Sequence, residues 1–427
     1  MNPRIRTSAL ALLAGGALAL TGCSAGGAAD DGTTEITFVG ADPAEAFEPL
    51  IAAFEARHPD ISVEYQNIPF DQYNNVIQQR VGAKDPSIDV LLVDAGASAS
   101  MASRGWLADL SKLRDQAEES SIAASVEQSV WDDELWALPF WTSAQYLYYN
   151  ADLLEAAGVE PPTADGERWT WEQVVDAGKQ AQAAGAEYGL LFDQTDRYYQ
   201  LQPLAESAGG GSGATGPDLL TADITNEGWQ RSMDWYASLF ADGVAPRGIA
   251  TDQMNVLFAS GKSAFFVGGP WSVDPISKGE PPISYGVAKN PMFEGGTPAM
   301  STGSWSIGVS AATDELEAAT AFAEFASLDP EGNAAAVEQI IIPPTNLSAF
   351  DAYIERLDKT DEPNTAGMGQ LTLSELQDAA VSRPNTVGFT QMQDVMGRAF
   401  ADIRNGQPVG ETLQKAQDEL QGLWDRL

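Results

Sequence analysis

One tryptophan stands where a side chain could bind a ligand, at the exit of a short apolar strand. Residues 264–267, Ala-Phe-Phe-Val, predict a buried strand because turn formers bound them on both sides. The Gly-Gly-Pro at 268–270 ends the strand and leaves the backbone uncrowded before Trp271. In open α/β sheets ligands bind beyond the carboxyl ends of strands, and an indole there suits the C–H face of a pyranose ring. Trp271 is therefore a candidate stacking residue, and a tryptophan that merely caps the core is the alternative.

Two aspartates occupy the equivalent place after other predicted strands. Residues 35–40 alternate as an opening strand shortly before Asp42, and the almost wholly apolar strand 88–93 ends at Asp94. Strands and helices follow one another at a spacing that favours a parallel sheet covered on both faces. Both carboxylates would then lie at the ligand-binding edge of that sheet. Capping of the next helix is the competing role for Asp42, which precedes Pro43.

The α/β pattern continues along the rest of the chain. Further strands are predicted at residues 61–65, 146–150, 189–192, 284–291 and 304–309, and helices at 47–56, 71–81, 229–240 and 318–328. Thr170, followed three residues later by Gln173, has the pattern of a capping box and predicts a helix that begins there. With 427 residues, the chain is long enough for two or three domains with sizeable cores.

The composition excludes several classes of partner and cofactor. A net charge of −38 repels nucleic acid and anionic lipid headgroups, and argues weakly against a highly anionic ligand. A single histidine, His58, and a single cysteine, Cys23, exclude a structural zinc site and a disulfide framework, as well as any histidine-based triad that does not use His58. The acidic residues show no metal-ligand spacing. We therefore predict no metal and no cofactor.

The N-terminus has the pattern of an exported lipoprotein. Arg4 and Arg6 precede an apolar stretch, residues 9–20, that is too short to span a bilayer. It ends in Leu-Thr-Gly-Cys, which resembles the bacterial lipobox. Residues 1–22 are predicted to be the signal peptide, Cys23 the lipidation site, and residues 23–32 a flexible tether at the extracytoplasmic face of the cell membrane. A signal peptide without lipid, followed by a chance cysteine, is the alternative.

Fragments along the whole chain, taken in order, resemble one family. They are Leu-Thr-Gly-Cys at 20–23, Gly-Trp-Leu-Ala-Asp-Leu at 105–110, Leu-Pro at 138–139, Tyr-Tyr-Asn-Ala-Asp-Leu-Leu at 148–154, Ala-Gly-Val-Glu-Pro-Pro at 157–162, Trp-Thr-Trp-Glu at 169–172, the stretch 261–271, residues 321–328 and Pro-Pro at 343–344. In this joint order they resemble the extracellular solute-binding proteins of ATP-driven sugar importers, the maltose-binding-protein-like group.

The resemblance implies an α/β fold of two lobes, each a mostly parallel sheet flanked by helices, joined by several hinge crossings. Lobe 1 is expected to comprise residues 33–142 and 291–338, and lobe 2 residues 143–290 and 339–427. The family also implies a monomer that is not an enzyme. It would capture a carbohydrate, a di- or oligosaccharide, between the closing lobes and deliver it to the membrane permease of an ABC importer.

Carried over residue by residue, the family pattern gives a set of candidate cleft residues. They are Asp42, Asp94, Trp141, Ser143, Arg197, Tyr199, Trp271, Gly303, Trp305 and Arg383. Ser143 departs from the pattern, because some relatives carry a longer acidic or amide group there. Two other functions stay open: an exported glycoside hydrolase that uses a carboxylate pair such as Asp42 and Asp94, and a binding protein for a polar solute that is not a sugar.

Overall fold

The structure is a computed structural model, and it describes residues 32–358 and 363–427. The predicted signal peptide, Cys23 and all but the last residue of the predicted tether lie outside the described residues. Among the helices in the two described ranges, none is long and apolar enough to cross a membrane.

Helices and strands occur throughout the described chain, without strict alternation. The strands are β1 Thr34–Gly40, β2 Ile61–Asn67, β3 Val90–Asp94, β4 Val130–Trp131, β5 Glu134–Leu135, β6 Leu138–Trp141, β7 Tyr146–Asn150, β8 Tyr188–Phe192, β9 Ala214–Thr215, β10 Thr221–Ala222, β11 Ser263–Gly268, β12 Tyr285–Lys289, β13 Met300–Ser301, β14 Trp305–Val309 and β15 Ala380–Val381. The α-helices are α1 Glu48–Arg57, α2 Phe70–Gly82, α3 Ser98–Ala102, α4 Arg114–Ser120, α5 Ala123–Glu127, α6 Ala151–Ala157, α7 Trp171–Ala183, α8 Tyr198–Ser207, α9 Glu227–Ala241, α10 Met254–Ala259, α11 Val273–Ser277, α12 Leu316–Leu328, α13 Pro330–Ala335, α14 Leu347–Asp358, α15 Met368–Asp378, α16 Phe389–Arg404 and α17 Val409–Trp424.

The first sheet has the strand order β2-β1-β3-β14-β6. Its β1 is parallel to β2 and β3, whereas β14 is antiparallel to β3 and β6. Helices α1 and α12 cover it, and the rings of Phe54 and Phe322 meet edge to face between them at 5.0 Å. Asp94 ends β3 and pairs in register with Trp305, the first residue of β14. The first sheet thus places a carboxylate and an indole at the same edge.

The second sheet has the strand order β12-β7-β11-β8 and is buried on both faces. Leu147 and Phe265 pack into one core with α7, α8, α9, α16 and α17, whereas Tyr148 and Phe266 pack into a core on the other face with α10, α14 and α15. Burial on both faces explains why β11 is a continuous apolar run rather than an alternating one.

One strand in each sheet runs against all the others. It is β14 in the first sheet and β7 in the second. Each is the strand that follows a passage from one sheet to the other, so it begins at the edge where its neighbours end. The predicted fold class, two mostly parallel α/β sheets flanked by helices, is confirmed, with one antiparallel strand in each sheet.

Three segments pass between the sheets side by side. The backbone N–H of Thr142 donates to the carbonyl of Pro343 at 2.9 Å, and the Thr302 hydroxyl donates to the carbonyl of Ser143 at 2.9 Å. Phe293 and Met300, which the sequence boundaries placed with lobe 1, pack in the cores of the second sheet. The chain therefore remains with the second sheet until about residue 301, because β13 pairs there with β15 from the C-terminal part.

Candidate binding site

Trp271 lies just beyond the end of β11, as predicted. The strand is buried along its length and pairs with β8 and β7. The indole folds back over Gly269, where a Cβ atom would overlap the ring, so the glycine is required for this close approach. The ring also packs against hydrophobic residues in the core of the first sheet. Trp271 is therefore half-buried at the boundary between the two sheets.

Asp193, which sequence reasoning did not assign, accepts a hydrogen bond from this indole, and Asn255 donates to the same carboxylate. The Nε1–H of Trp271 donates to Oδ2 of Asp193 at 2.8 Å, and the amide of Asn255 donates to Oδ1 at 3.0 Å. Burial raises the pKa of the Asp193 carboxyl to about 6, although both hydrogen bonds act to lower it. The signal for Asp193 was present in the sequence, because it directly follows an apolar strand, as Asp94 does.

A second group of polar residues centres on Arg383. Its guanidinium forms a buried ion pair with Asp94 and donates to the carbonyl of Gly303 at 2.7 Å. The guanidinium also lies 5.2 Å from the centre of the Tyr199 ring, a cation–π distance, and the Tyr199 hydroxyl donates to Ser143 Oγ at 2.8 Å. The structure thus brings together five of the predicted site residues, which come from five distant parts of the sequence.

The residues around Trp271 and the residues around Arg383 are in contact. The rings of Tyr199 and Trp271 are 6.5 Å apart at an angle of 46°. Gly303 has a φ of +71°, which favours glycine, and a Cβ there would overlap the side chain of Gln128. Gln128 is buried, and both polar atoms of its amide lack a hydrogen-bond partner among the described residues, as does Nε of Arg383. The site therefore combines two aromatic rings, an ion pair and buried polar atoms with unused hydrogen-bonding capacity.

Trp305 and Arg197 lie beside a short aromatic cluster on α2. The Trp305 ring meets Tyr73 edge to face at 5.4 Å and Phe70 at 6.3 Å. The guanidinium of Arg197 pairs with Asp71 at 2.5 Å and lies 5.1 Å from the Phe70 ring. Arg197, which directly precedes α8, thus pairs with a residue of α2. Sequence reasoning missed this ion pair. Nothing in the sequence context of Arg197 points to residue 71.

Asp42 lies between β1 and α1. Its backbone carbonyl accepts hydrogen bonds from the Tyr65 hydroxyl and the Asn67 amide, both at 2.6 Å. Its side chain keeps some exposure, but the surrounding protein desolvates the carboxyl and raises its pKa to about 6. No side chain in the described parts of the chain donates a hydrogen bond to this carboxyl. The competing role as a helix cap is not observed, because no side-chain cap is formed at the helices that follow.

Trp141 is a correction to the predicted set. Its side chain is only 2% exposed and stacks on Phe47, with ring centres 5.7 Å apart and planes 7° from parallel. It also stacks on Phe140 at 4.6 Å. The indole therefore belongs to the core of the first sheet. Its position beside the crossing suggested a cleft residue, but the pairing of β6 with β14 shifts register here, and Phe140 and Trp141 both pack in the hydrophobic layer.

The site has the residue types of a binding site for a polar, uncharged ligand. Aromatic faces, a carboxylate and a guanidinium converge at the edge where the strands of both sheets end. Among the described residues, no cluster of three or more histidine, cysteine, aspartate or glutamate side chains could hold a metal ion. His58 stacks on Phe54 at 4.5 Å, at the end of α1.

Comparisons with known proteins agree with this architecture. The family model of the bacterial extracellular solute-binding proteins matches residues 40–332. A binding protein of Brucella abortus is 27% identical over 57% of this chain, an alignment that spans 59% of that protein's length. The galactooligosaccharide-binding protein of Bacillus subtilis is 27% identical over 68% of this chain and 69% of its own length. A mannitol-binding protein of Pseudomonas aeruginosa is 26% identical over 71% of this chain and 72% of its own.

Two solved structures share the fold. The GacH receptor of Streptomyces glaucescens, studied with acarbose, superposes with a TM-score of 0.78 at 22% identity, over 92% of this chain and 99% of its own. An ABC substrate-binding protein from Listeria monocytogenes, in complex with cycloalternan, has a TM-score of 0.80 at 24% identity over the same shares. The chain belongs to the bacterial extracellular solute-binding proteins. The family recognised from the sequence is thereby confirmed.

Proposed function

We propose that this protein is the substrate-binding subunit of an ABC importer, and that it captures a di- or oligosaccharide and delivers it to the permease. The observation that carries the proposal is the contact between Trp271, Tyr199 and the Arg383–Asp94 ion pair at the common edge of the two sheets. The relatives named for galactooligosaccharide and mannitol, and the structures solved with acarbose and cycloalternan, support a carbohydrate ligand.

The residue types suit a neutral polyol. An indole and a phenol ring can cover the apolar C–H faces of a sugar, while the carboxylates of Asp42 and Asp94 accept hydrogen bonds from hydroxyls and Arg383 donates them. A ligand that lacks one hydroxyl would leave a buried polar group without a partner, at a cost of about 1–3 kcal/mol. Such a site distinguishes sugars by the positions of their hydroxyls.

In this proposal each sheet with its helices forms one lobe, and the lobes close around the ligand as a hinge. The side-by-side crossings at Thr142, Thr302 and Pro343 provide a narrow connection about which the lobes can rotate. Asp71 and Arg197, which pair across the boundary, would separate when the lobes open. The binding protein acts as a monomer, without catalysis and without a cofactor.

The proposed location is the extracytoplasmic face of the cell membrane, with a lipid on Cys23 as the anchor. The support is the lipobox-like sequence before the only cysteine of the chain. The Cys23→Ser variant should fail to incorporate labelled palmitate and should appear in the culture medium. Retention of the variant in the membrane fraction would contradict the lipid anchor without bearing on ligand binding.

Thermal unfolding of the purified protein against a panel of mono-, di- and trisaccharides tests the function. A sugar that binds only the folded state stabilises it by about 2.7 kcal/mol at a hundredfold excess over its Kd. The shift should disappear in Trp271→Ala and persist in Trp131→Ala, a half-buried tryptophan on the β4–β5 hairpin. Chromatography after long incubation should recover the sugar intact. Cleavage would favour the hydrolase, and a panel without any shift would favour a different polar solute.

A further inference from the structure

Asp193 joins three elements at the end of the second sheet. It follows β8 directly, and its backbone N–H donates to the carbonyl of Val267 in β11 at 2.9 Å. Its side chain, 5% exposed, accepts one hydrogen bond from Trp271 and one from Asn255, the second residue of α10. Both carboxylate oxygens are therefore engaged, each by a different element, and the carboxylate has little freedom to move.

The hydrogen bond to Asp193 constrains the rotation of the Trp271 indole. Without a polar contact, the ring could turn about its side-chain bonds, because it is only half-buried. Its Nε1–H is its one polar atom, and a hydrogen bond to an ionised acceptor is stronger than one between neutral groups. The backbone of Gly269 lies against the ring as well. The plane of the indole is thus defined by Asp193 on its edge and Gly269 on its face.

We infer that Asp193, oriented by Asn255, is a positioning residue that fixes the plane of the Trp271 indole and thereby determines which sugar epimers the site accepts. The inference rests on the proposed function. A pyranose stacks on an aromatic face through its axial C–H groups, and an axial hydroxyl on that face would be desolvated without a partner. An indole with a fixed orientation would therefore bind the two epimers with different affinities, whereas an indole that can turn would adapt to both.

The chain offers a conservative substitution for the test. In Asp193→Asn, the side-chain oxygen can still accept from Trp271, while the new amide faces Asn255. The Oδ1 atom of Asn255 is buried and has no hydrogen-bond partner among the described residues, so a turned Asn255 amide can accept from the new donor. Asp193→Asn should therefore keep the ring in place, whereas Asp193→Ala removes the acceptor altogether.

The first readout needs no sugar. The indole N–H resonance of Trp271, identified by its absence in Trp271→Phe, should move with pH around a midpoint near 6 in the wild type and stay constant in Asp193→Asn. Titratable groups near Asp193 are Tyr148 on β7 and Tyr199 on α8, with the Asp94–Arg383 ion pair beyond Tyr199. Burial raises the pKa values of both tyrosines, so neither titrates near pH 6.

The second readout is epimer discrimination by calorimetry. Cellobiose with lactose, and glucose with galactose, are pairs that differ only in whether one C4 hydroxyl is equatorial or axial. The affinity ratio of the pair that binds the wild type should fall about tenfold in Asp193→Ala, which corresponds to one hydrogen bond to a charged group. Asp193→Asn should restore the ratio. In a Trp271→Phe background, Asp193→Ala should change the ratio no further.

Asp196→Asn is the matched control. Asp196 lies three residues further on and pairs with Arg404 and Tyr236, so its loss should lower stability but leave the affinity ratio unchanged. A Trp271 resonance that is indifferent to pH and unchanged in Asp193→Ala would overturn the inference, whether or not any sugar binds. An unchanged epimer ratio in Asp193→Ala would also overturn it. If no sugar binds the wild type, the proposed function fails, and the resonance alone decides the positioning role.

Discussion

The edges of the two sheets that meet at the candidate site carry the same local sequence pattern, but the buried aspartate has different partners in each. In each, an apolar strand ends at a buried aspartate: Asp94 is the last residue of β3, and Asp193 directly follows β8. Asp94 is paired with the guanidinium of Arg383, whereas Asp193 has the neutral donors of Trp271 and Asn255. The Arg383 cation compensates the buried charge of Asp94. At Asp193, burial raises the pKa of the carboxyl, and the hydrogen bonds from neutral donors offset this only partly.

The largest expected effect comes from breaking the ion pair of the first sheet. Arg383→Met leaves the buried Asp94 carboxylate uncompensated, and we expect a loss of about 3–5 kcal/mol in the free energy of unfolding, measured with denaturant. Arg398→Met is the control, because Arg398 pairs with Glu419 at the exposed surface and its loss should stay within about 1 kcal/mol. Equal losses in the two variants would contradict the compensation argument.

The buried aspartate of the second sheet should make the stability of the protein depend on pH. The folded-state pKa of Asp193 is about 6, above its unfolded value, so between about pH 4 and 6 the folded protein holds a proton that the unfolded chain has lost. The stability contributed by this group therefore falls as pH rises through that window, by about 3 kcal/mol at most. Asp193→Asn lacks this loss, so its stability relative to the wild type should increase from pH 4 to 7. A constant difference in denaturant titrations would refute the shift.

Removal of the indole separates binding from stability. Trp271→Ala should weaken binding of the ligand identified by the sugar panel by about 2 kcal/mol or more, roughly thirtyfold in Kd, as for a buried aromatic anchor. Because Trp271 is only half-buried, the free energy of unfolding should change less in Trp271→Ala than in Trp141→Ala. The Trp141 ring lies in the core of the first sheet. Calorimetry and denaturant unfolding on both variants test this contrast. A Trp271→Ala protein with unchanged affinity would exclude the stacking role.

The smallest effect on stability is expected from the surface ion pair between α2 and the residue before α8. The pair of Arg197 and Asp71 is partly exposed, so a double-mutant cycle of Arg197→Ala and Asp71→Ala should give a coupling of at most about 1 kcal/mol, reduced by salt. Ligand affinity should change less than about threefold in either variant. A much larger loss of affinity in Arg197→Ala alone would instead place Arg197 in contact with the ligand.

Much of the fold could be predicted from local sequence because its signals are local. The apolar run before Gly268 is strand β11, and the alternating residues 35–40 are strand β1. The capping box at Thr170 is formed as expected: its hydroxyl accepts from the Gln173 N–H, while the Gln173 side chain accepts from the Thr170 N–H. Each of these features depends on residues a few positions apart, whose geometry a regular helix or strand determines.

The candidate site could be predicted only in part, because its contacts join distant positions. Asp94 and Trp271 follow strands, and the sequence pattern alone marks them. That Arg383 reaches Asp94, or that Asp71 reaches Arg197, depends on which strands are neighbours, and β14 enters between β3 and β6 from more than a hundred residues away. Trp141 illustrates the converse, because its position in the sequence suggested the cleft and its side chain packs in the core.

By itself, the sequence determined the elements, the acidic surface and the residue types available at the strand ends. The tertiary structure alone decided which partner each buried carboxylate received: a guanidinium for Asp94, and an indole with an amide for Asp193. The physical reason is that a buried charge is stabilised by what lies within a few ångströms of it, and those neighbours come from parts of the chain that only folding brings together.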